Sequence, residues 1–223
     1  KGIHVAGGKI YVNANTSKHS LNIIDENSGA GTSIPLAENG LQIETYGGRL
    51  YQMTGYPYYA GYLPNADGSY GILEVRDVNT GNKIMDIQTD LEALYFDIDQ
   101  SSGRLFYTAT GRGIVGVINL ADHSTIKKID VATTVEDVVV HPVDGSLYLR
   151  NRLGGSTIYH VNPDTGALIN TLTPGNWPTK IILDASRNRL YALSHYEAKI
   201  AVFDIKTDAK VLDIPLGTQR ART

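Results

Sequence analysis

Three glycines form a pattern that is typical of nucleotide-binding chemistry. Gly111, Gly113 and Gly116 match G-x-G-x-x-G letter by letter. In dinucleotide-binding folds this pattern opens a helix whose N-terminus holds the pyrophosphate. Here it is interleaved with Ile114 and Val115 and leads into a strand. We therefore interpret it as a tight hairpin turn and predict no nucleotide cofactor.

Acidic residues and histidines could carry hydrolytic or metal chemistry, but their arrangement assigns none. Acid pairs such as Glu92 with Glu136 could in principle support glycoside hydrolysis. That chemistry requires a defined distance between the two carboxyl groups, which the sequence does not give. The chain has six histidines and no cysteine, and the histidines occur singly, without a pair at metal-ligand spacing. We predict no metal and no cofactor, assign no catalytic residue, and favour a protein without enzymatic activity.

The segment 55–70 is rich in aromatic residues, since it holds five of the fourteen tyrosines. Tyrosine offers a large, stiff and amphipathic contact surface at low entropic cost, and long loops in compact domains are often functional. We predict that this loop recognises a ligand or a protein. The alternative is a hairpin extension whose tyrosines cover the insertion itself or plug a channel. The candidate contact residues are Tyr56, Tyr58, Tyr59 and Tyr62.

A second set of candidates combines aromatic rings with guanidinium and imidazole groups. Such combinations suit a planar, sugar-like or carboxylated ligand, or a loop of a protein partner. Taken singly, each of these residues has the alternative of being an ordinary solvated or capping group. The set consists of the single tryptophan, Trp177, with Arg112, Arg150, Arg152, His195 and Tyr196.

An internal repeat supplies the elements that must position these residues. An aliphatic-aromatic pair recurs with its aromatic residue at positions 11, 51, 106, 148 and 191, each time after a turn that contains Gly or Asn. The copies are 40, 55, 42 and 43 residues apart, so the second copy is overlong. A following strand ends in Asp or Asn, and in three copies, such as Asp25 to Gly29, a glycine comes four residues later. We interpret these segments as Asx turns, without the acidic pattern of a calcium loop.

Two further strands complete each copy, a third after the Asx turn and an aliphatic run such as 137–140 before the next glycine turn. Short strands rich in Val, Ile and Tyr, without a long segment of 3.6-residue periodicity, indicate an all-β fold. Four strands in 40 to 45 residues are typical of a β-propeller blade. We predict a single propeller domain over 1–223 with blades at approximately 1–38, 39–90, 91–133, 134–175 and 176–217.

The motifs of the repeat are the Leu-Tyr strand, the Val-x-Asp/Asn strand, a Thr-Gly-x-x turn and the Pro-x-x-Gly turn within 141–145. Over essentially the whole chain they resemble the YVTN-type repeats of surface-layer-like and quinoprotein-like propellers. The resemblance implies an extracytoplasmic location, in the periplasm or at the cell surface. That family commonly builds seven blades, whereas five copies are present. We expect a closed five-bladed ring, with part of a larger seven-bladed ring as the alternative.

With the four strands of a blade lettered A to D in chain order, the B–C loops connect strands within a blade and the D–A loops connect one blade to the next. In propellers of this kind both sets of loops lie on one face, and both candidate sets map to these loops. We predict a non-enzymatic propeller that binds a small molecule or a protein on this face, centred on 55–70. The alternatives are a lactonase- or quinoprotein-like enzyme with its site in the central channel, and a structural repeat module of a larger surface protein.

Charge and hydropathy bear on the class of partner. The formal net charge is −3, the pI is near 6.1, and no long run of like charges occurs, so we predict no nucleic-acid partner. No run of 18 apolar residues occurs, so we predict no transmembrane segment.

Overall fold

The computed structural model of the protein describes residues 2–15, 19–37, 39–54, 71–90, 93–109, 113–131, 134–151 and 155–217. Within these ranges all regular secondary structure is β, in twenty strands. No helix long and apolar enough to cross a membrane occurs in this part of the chain. The all-β fold predicted from strand periodicity is confirmed.

The twenty strands form five four-stranded sheets, and each sheet takes four consecutive strands in chain order. The predicted five-bladed β-propeller of antiparallel four-stranded blades is thereby confirmed. We call the four strands of a blade A to D in chain order. The strands are β1 (Ile3–Ala6), β2 (Lys9–Asn15), β3 (His19–Asp25), β4 (Gly31–Pro35), β5 (Gly40–Tyr46), β6 (Arg49–Thr54), β7 (Ile72–Asp77), β8 (Lys83–Gln88), β9 (Ala93–Asp99), β10 (Arg104–Ala109), β11 (Ile114–Asn119), β12 (Thr125–Asp130), β13 (Val135–Val140), β14 (Leu147–Asn151), β15 (Ile158–Val161), β16 (Leu168–Leu172), β17 (Pro178–Asp184), β18 (Arg189–Ser194), β19 (Lys199–Asp204) and β20 (Lys210–Pro215).

The chain forms two compact units. One consists of Lys1–Tyr107 with Ile118–Thr125, and the other of Thr108–Val117 with Ile126–Thr223. Each unit has its own apolar core, built mainly of side chains from strands A to C. In the first unit, Met53, Leu73 and Phe96 are fully buried; in the second, Leu190 and Ala201 are.

The five C–D turns share a residue in the left-handed region of φ, four positions after the Asp or Asn that ends strand C. Glycine occupies this position in three turns, because it adopts positive φ without a Cβ clash. The other two turns place His123 and Asp208 there, which are side chains that tolerate this conformation better than most. The residues are Gly29 (φ 71°), Gly81 (φ 70°), His123 (φ 61°), Gly166 (φ 74°) and Asp208 (φ 57°).

The repeated Leu-Tyr motif has a structural role at these same turns. Three of its tyrosines are almost fully buried, at 0 to 1% exposure. Each hydroxyl reaches a C–D turn of another blade in the same unit, so the motif ties one blade to another. The contacts join Tyr11 to the Val78 carbonyl (3.1 Å), Tyr51 to His123 Nε2 (3.1 Å) and Tyr148 to Asp208 Oδ1 (2.8 Å).

Polar side chains cover the free edge of an inner strand in the first unit. The amide of Gln42 on β5 donates to the carbonyl of Phe96 on β9 and accepts from its N–H. Glu44 accepts from the N–H of Ile98 at 3.2 Å. Burial, and then the negative charge of Asp97, raise the pKa of Glu44 well above its ordinary value. These contacts satisfy backbone groups that an edge strand would otherwise leave unpaired.

Strand A is bulged near its start in three blades. The pairing with strand B shifts between Gly40 and Gln42, between Val135 and Asp137, and between Pro178 and Lys180. The extra residues in the last two blades are Glu136 and Thr179. A bulge re-aims the side chains of its strand, and these bulges lie where the chain arrives from the D–A loop.

Candidate functional site

Three of the predicted site residues come together at the fifth blade. Trp177 directly precedes β17, whereas His195 and Tyr196 lie in the loop between β18 and β19. The rings of Trp177 and Tyr196 meet edge to face with centroids 5.1 Å apart, and those of His195 and Tyr196 with centroids 5.3 Å apart. Trp177 is 38% exposed and Tyr196 is 48% exposed. We call Trp177, His195 and Tyr196 the aromatic surface.

The backbone of Trp177 is strained. Its φ is 54°, in the left-handed region that bulky side chains rarely adopt. Hydrogen bonds from the neighbouring loop hold it there: Ser194 Oγ donates to the Asn176 carbonyl at 2.6 Å, and the His195 N–H donates to the Trp177 carbonyl at 3.1 Å. The N–H of Asn176 donates to Glu197 Oε1 at 2.8 Å. The D–A and B–C loops of this blade are therefore locked together with the indole partly in solvent.

An ion pair borders the aromatic surface. Lys199 Nζ lies 2.5 Å from Glu197 Oε2 and 3.1 Å from Asp213 Oδ2. Hydrogen bonding to Lys199 lowers the pKa of Glu197, and hydrogen bonding to Glu197 raises the pKa of Lys199. Gly175, at φ 127°, leaves room for this pair, since a Cβ there would lie 2.7 Å from Glu197 Oε2. The ion pair gives the surface a charged border.

An ionic cluster around the buried Arg150 contacts the residue that follows Trp177, in the same unit. Arg150 is 4% exposed, and its Nη1 donates to Glu136 Oε2 at 3.1 Å and to the Pro178 carbonyl at 3.0 Å. Lys180 donates to the fully buried carboxylate of Asp137 at 2.9 Å. Arg150 Nε has no hydrogen-bond partner and lies 4.0 Å from that carboxylate. Because Pro178 follows Trp177, the hydrogen bond from Arg150 helps to hold the strained segment.

The other predicted contact residues lie outside the described part of the chain. Their roles stay predictions. They are Tyr56, Tyr58, Tyr59, Tyr62, Arg112 and Arg152.

The structure also contains a Ser–His–Asp arrangement that sequence analysis missed. Ser146 Oγ lies 2.6 Å from His160 Nε2, and His160 Nδ1 lies 2.7 Å from Asp208 Oδ2. This is the order of groups in serine hydrolases. Here, however, the Ser146 hydroxyl donates its single proton to Asp144 Oδ1 at 2.7 Å, and Ser146 is only 3% exposed. A hydroxyl that is buried and donates to a carboxylate is not placed as a nucleophile, so we interpret the arrangement as a tie between blades.

The three members of this arrangement are 14 and 48 residues apart in the chain. No local motif marks them. The available signal was the replacement of glycine by Asp208 in the C–D turn. Among the described residues, no group of three or more His, Asp or Glu side chains is arranged to hold a metal ion.

Comparisons with known proteins support the fold. No family model matches the chain. A chain of a nidogen/laminin complex is similar with a TM-score of 0.71 and 11% identity, over 96% of this chain and 79% of that one. The computationally designed Ika8 protein is similar with a TM-score of 0.67 and 13% identity, over 98% of this chain and 62% of that one. At these identities the likeness shows a β-propeller fold alone, a fold used for binding and scaffold roles generally.

Proposed function

We propose that the protein is a non-enzymatic binding propeller that recognises a partner with its B–C and D–A loops, anchored on the aromatic surface. The observation that carries the proposal is Trp177, which is held in a left-handed conformation with its indole partly exposed. A bulky residue in this conformation costs about 1–2 kcal/mol. Strain of this kind persists where surrounding contacts enforce it, and it clusters at ligand clamps.

The composition of the surface favours a macromolecular partner. Tryptophan and tyrosine dominate the binding energy of protein interfaces, and the residues around them exclude water. Trp177 and Tyr196 form such a pair, and Glu197 with Lys199 forms a polar rim. One of the similar structures, the nidogen/laminin complex, contains two proteins, although that likeness by itself shows only the fold.

The predicted tyrosine loop, 55–70, belongs to the same class of loops and extends the proposal. The proposal also includes membership of the YVTN-type repeat family and an extracytoplasmic location, both of which rest on the repeat motifs. Under this proposal the partner is an envelope or surface component.

The test exploits the fact that Trp177 is the only tryptophan. Immobilised wild-type protein, the Trp177→Ala variant and the Tyr196→Ala variant are exposed to envelope extract of the native cells, and captured proteins are compared by quantitative mass spectrometry. Ile169→Ala, which removes a residue that is 52% exposed on outer strand β16, is the control. We expect a partner that wild type and control retain and that both aromatic variants lose by roughly tenfold or more.

A purified partner gives the confirming measurement, because it should shift the emission of the single indole on binding. Equal capture by wild type and Trp177→Ala, with melting temperatures unchanged, would refute the proposal.

The enzymatic alternative, a lactonase- or quinoprotein-like catalyst, needs a metal or a quinone in the purified protein. Elemental analysis and an absorption spectrum distinguish it from a binding protein. A stoichiometric metal or a cofactor absorption band would favour the enzyme.

A further inference from the structure

The A–B turns differ in length along the repeat. In the first two blades the turn has two residues, Gly7-Gly8 between the paired Ala6 and Lys9, and Gly47-Gly48 between the paired Tyr46 and Arg49. Both turns have the same φ values, 57° and 75°, which suit a tight hairpin. In the fifth blade four residues separate the paired Asp184 and Arg189. The two shortest turns therefore follow each other in the chain.

A recess of about 380 Å³ lies at these two short turns, in the first unit. Its size falls in the range of small-molecule sites, about 300–1,000 Å³. The four turn glycines leave its wall open, since a Cβ on any of them would have no atom within 4 Å. Side chains from the neighbouring turns complete it. The side chains that line it include Lys9, Tyr11, Tyr46, Asn79 and Gln100.

The polar groups of the recess offer both donors and acceptors. Lys9 Nζ donates to Asn79 Oδ1 at 2.9 Å, so the amide protons of Asn79 and the remaining protons of Lys9 can donate to a ligand. Gln100 Nε2 donates to the Thr45 carbonyl at 3.2 Å, so Gln100 Oε1 can accept. Tyr46, which is partly buried, contributes aromatic surface, whereas Tyr11 is 1% exposed and its hydroxyl donates to the Val78 carbonyl.

The charge of Lys9 is balanced locally. Hydrogen bonds from Ser28 hold the pKa of Asp25 below its ordinary value, and hydrogen bonds from Thr80 do the same for Asp77. The charge of Lys9 contributes to both shifts. Two ionised carboxylates near one ammonium disfavour an anionic ligand. An apolar ligand would cover the amide protons of Asn79, the remaining protons of Lys9 and the Oε1 of Gln100 without offering them a partner, which is costly.

We propose that this recess is a binding site for an uncharged sugar of one or two rings. Sugar hydroxyls both donate and accept, which matches the mixed groups of Lys9, Asn79 and Gln100, and the apolar face of a sugar ring matches tyrosine. The site shares no residue with the aromatic surface, so the inference is independent of the proposed function.

Isothermal titration calorimetry with maltose, cellobiose, lactose and N,N′-diacetylchitobiose tests the proposal, with sodium sulfate and citrate as anion probes. We expect at least one sugar to bind the full chain with Kd on the order of 1 mM or tighter. Asn79→Ala and Gln100→Ala should each weaken binding by about five- to tenfold through the loss of a hydrogen bond.

Asn27→Ala is the matched control. Asn27 occupies the same position in the first C–D turn as Asn79 in the second, and each donates its backbone N–H to the preceding Asp at 3.0 to 3.1 Å. Asn27 does not line the recess, so its replacement should leave the affinity unchanged. The proposal is overturned if none of the four sugars binds at tens of millimolar, if Asn79→Ala binds as well as Asn27→Ala, or if the anions bind more tightly than the sugars.

Discussion

Replacing Asp208 with alanine tests the structural role of the Ser–His–Asp arrangement. Asp208 accepts hydrogen bonds from the Tyr148 hydroxyl at 2.8 Å, from His160 Nδ1 at 2.7 Å and from Asn170 Nδ2 at 3.2 Å. Its side chain is only 9% exposed. Alanine removes all three hydrogen bonds and keeps the strained left-handed backbone. It therefore leaves the ring nitrogen of His160 buried without a partner.

The expected loss follows from these contacts. Each buried polar group left unpaired costs about 1–3 kcal/mol, and each hydrogen bond to a charged acceptor contributes about 1.5–3 kcal/mol. Tyr148 retains the Ile205 carbonyl at 3.3 Å, which limits its share. We expect Asp208→Ala to lower the free energy of unfolding by about 3–5 kcal/mol, which is a fall of about 6–20 °C in melting temperature at this chain length. Asp208→Gly should lose about 1 kcal/mol less, because glycine relieves the backbone strain.

Urea unfolding followed by circular dichroism measures both variants. The control is Asp164→Ala, in the C–D turn of the fourth blade, whose side chain is 67% exposed and pairs with Lys127 at 3.4 Å. A surface pair of this kind is worth under about 1 kcal/mol. This structural role of Asp208 is refuted if Asp208→Ala unfolds within about 1 kcal/mol of wild type, or if Asp164→Ala loses as much stability as Asp208→Ala.

Three further predictions concern pH and packing. Because the pKa of Glu44 is raised, the folded state retains a proton that the unfolded state releases, and wild-type stability should fall as the pH rises from 4.5 to 7. Glu44→Gln should therefore gain stability relative to wild type over this range, and equal pH profiles of the urea midpoint would contradict this. Burial raises the pKa of Tyr107 and of Tyr148 above the ordinary 10.0, so stability should fall as the pH rises beyond 10, and the double Phe variant should show a flatter decline in the same assay. A Cβ at Gly40 would lie 2.5 Å from Gln52 Nε2, so Gly40→Ala should cost about 1–3 kcal/mol by overpacking, and a melting temperature equal to wild type would disprove the contact.

The strand pattern could be predicted because every blade repeats the same two-residue alternation and a turn that contains Gly or Asn before strand B. Leu-Tyr or Ile-Tyr marks strand B in four of the five copies, and Tyr11, Tyr51 and Tyr148 each contact a C–D turn. The third copy has Phe106 at this place, and a phenyl ring cannot form the bond. The pattern predicted the strands, but the partner of each hydroxyl depends on which turn of another blade comes near, and a local pattern does not give this.

The candidate site was predicted in part for a similar reason. Trp177, His195 and Tyr196 belong to two loops of one blade, and the repeat register places those loops at the same end of its strands, so their meeting followed from the pattern. The left-handed φ of Trp177 did not, because it depends on hydrogen bonds from Ser194 and His195 across the two loops. The charge cluster around Arg150 also depends on bulges, which no periodic motif marks.

Departures from the repeat coincide with the features that give each blade its own chemistry. Glycine at the left-handed turn position has no backbone strain and no side-chain contact. His123 and Asp208 are strained there, but each forms a hydrogen bond, to Tyr51 and to Tyr148 respectively. A non-glycine residue in this conformation destabilises the fold by about 1 kcal/mol, so its side-chain hydrogen bonds must contribute at least as much stability to offset the strain. It follows that His123→Gly should be close to neutral, since one part-buried hydrogen bond roughly offsets the strain, whereas Asp208→Gly should destabilise, since three hydrogen bonds outweigh it. Equal effects of the two glycine variants in urea unfolding would show that the turn position, and not the side chain, determines the stability of this contact.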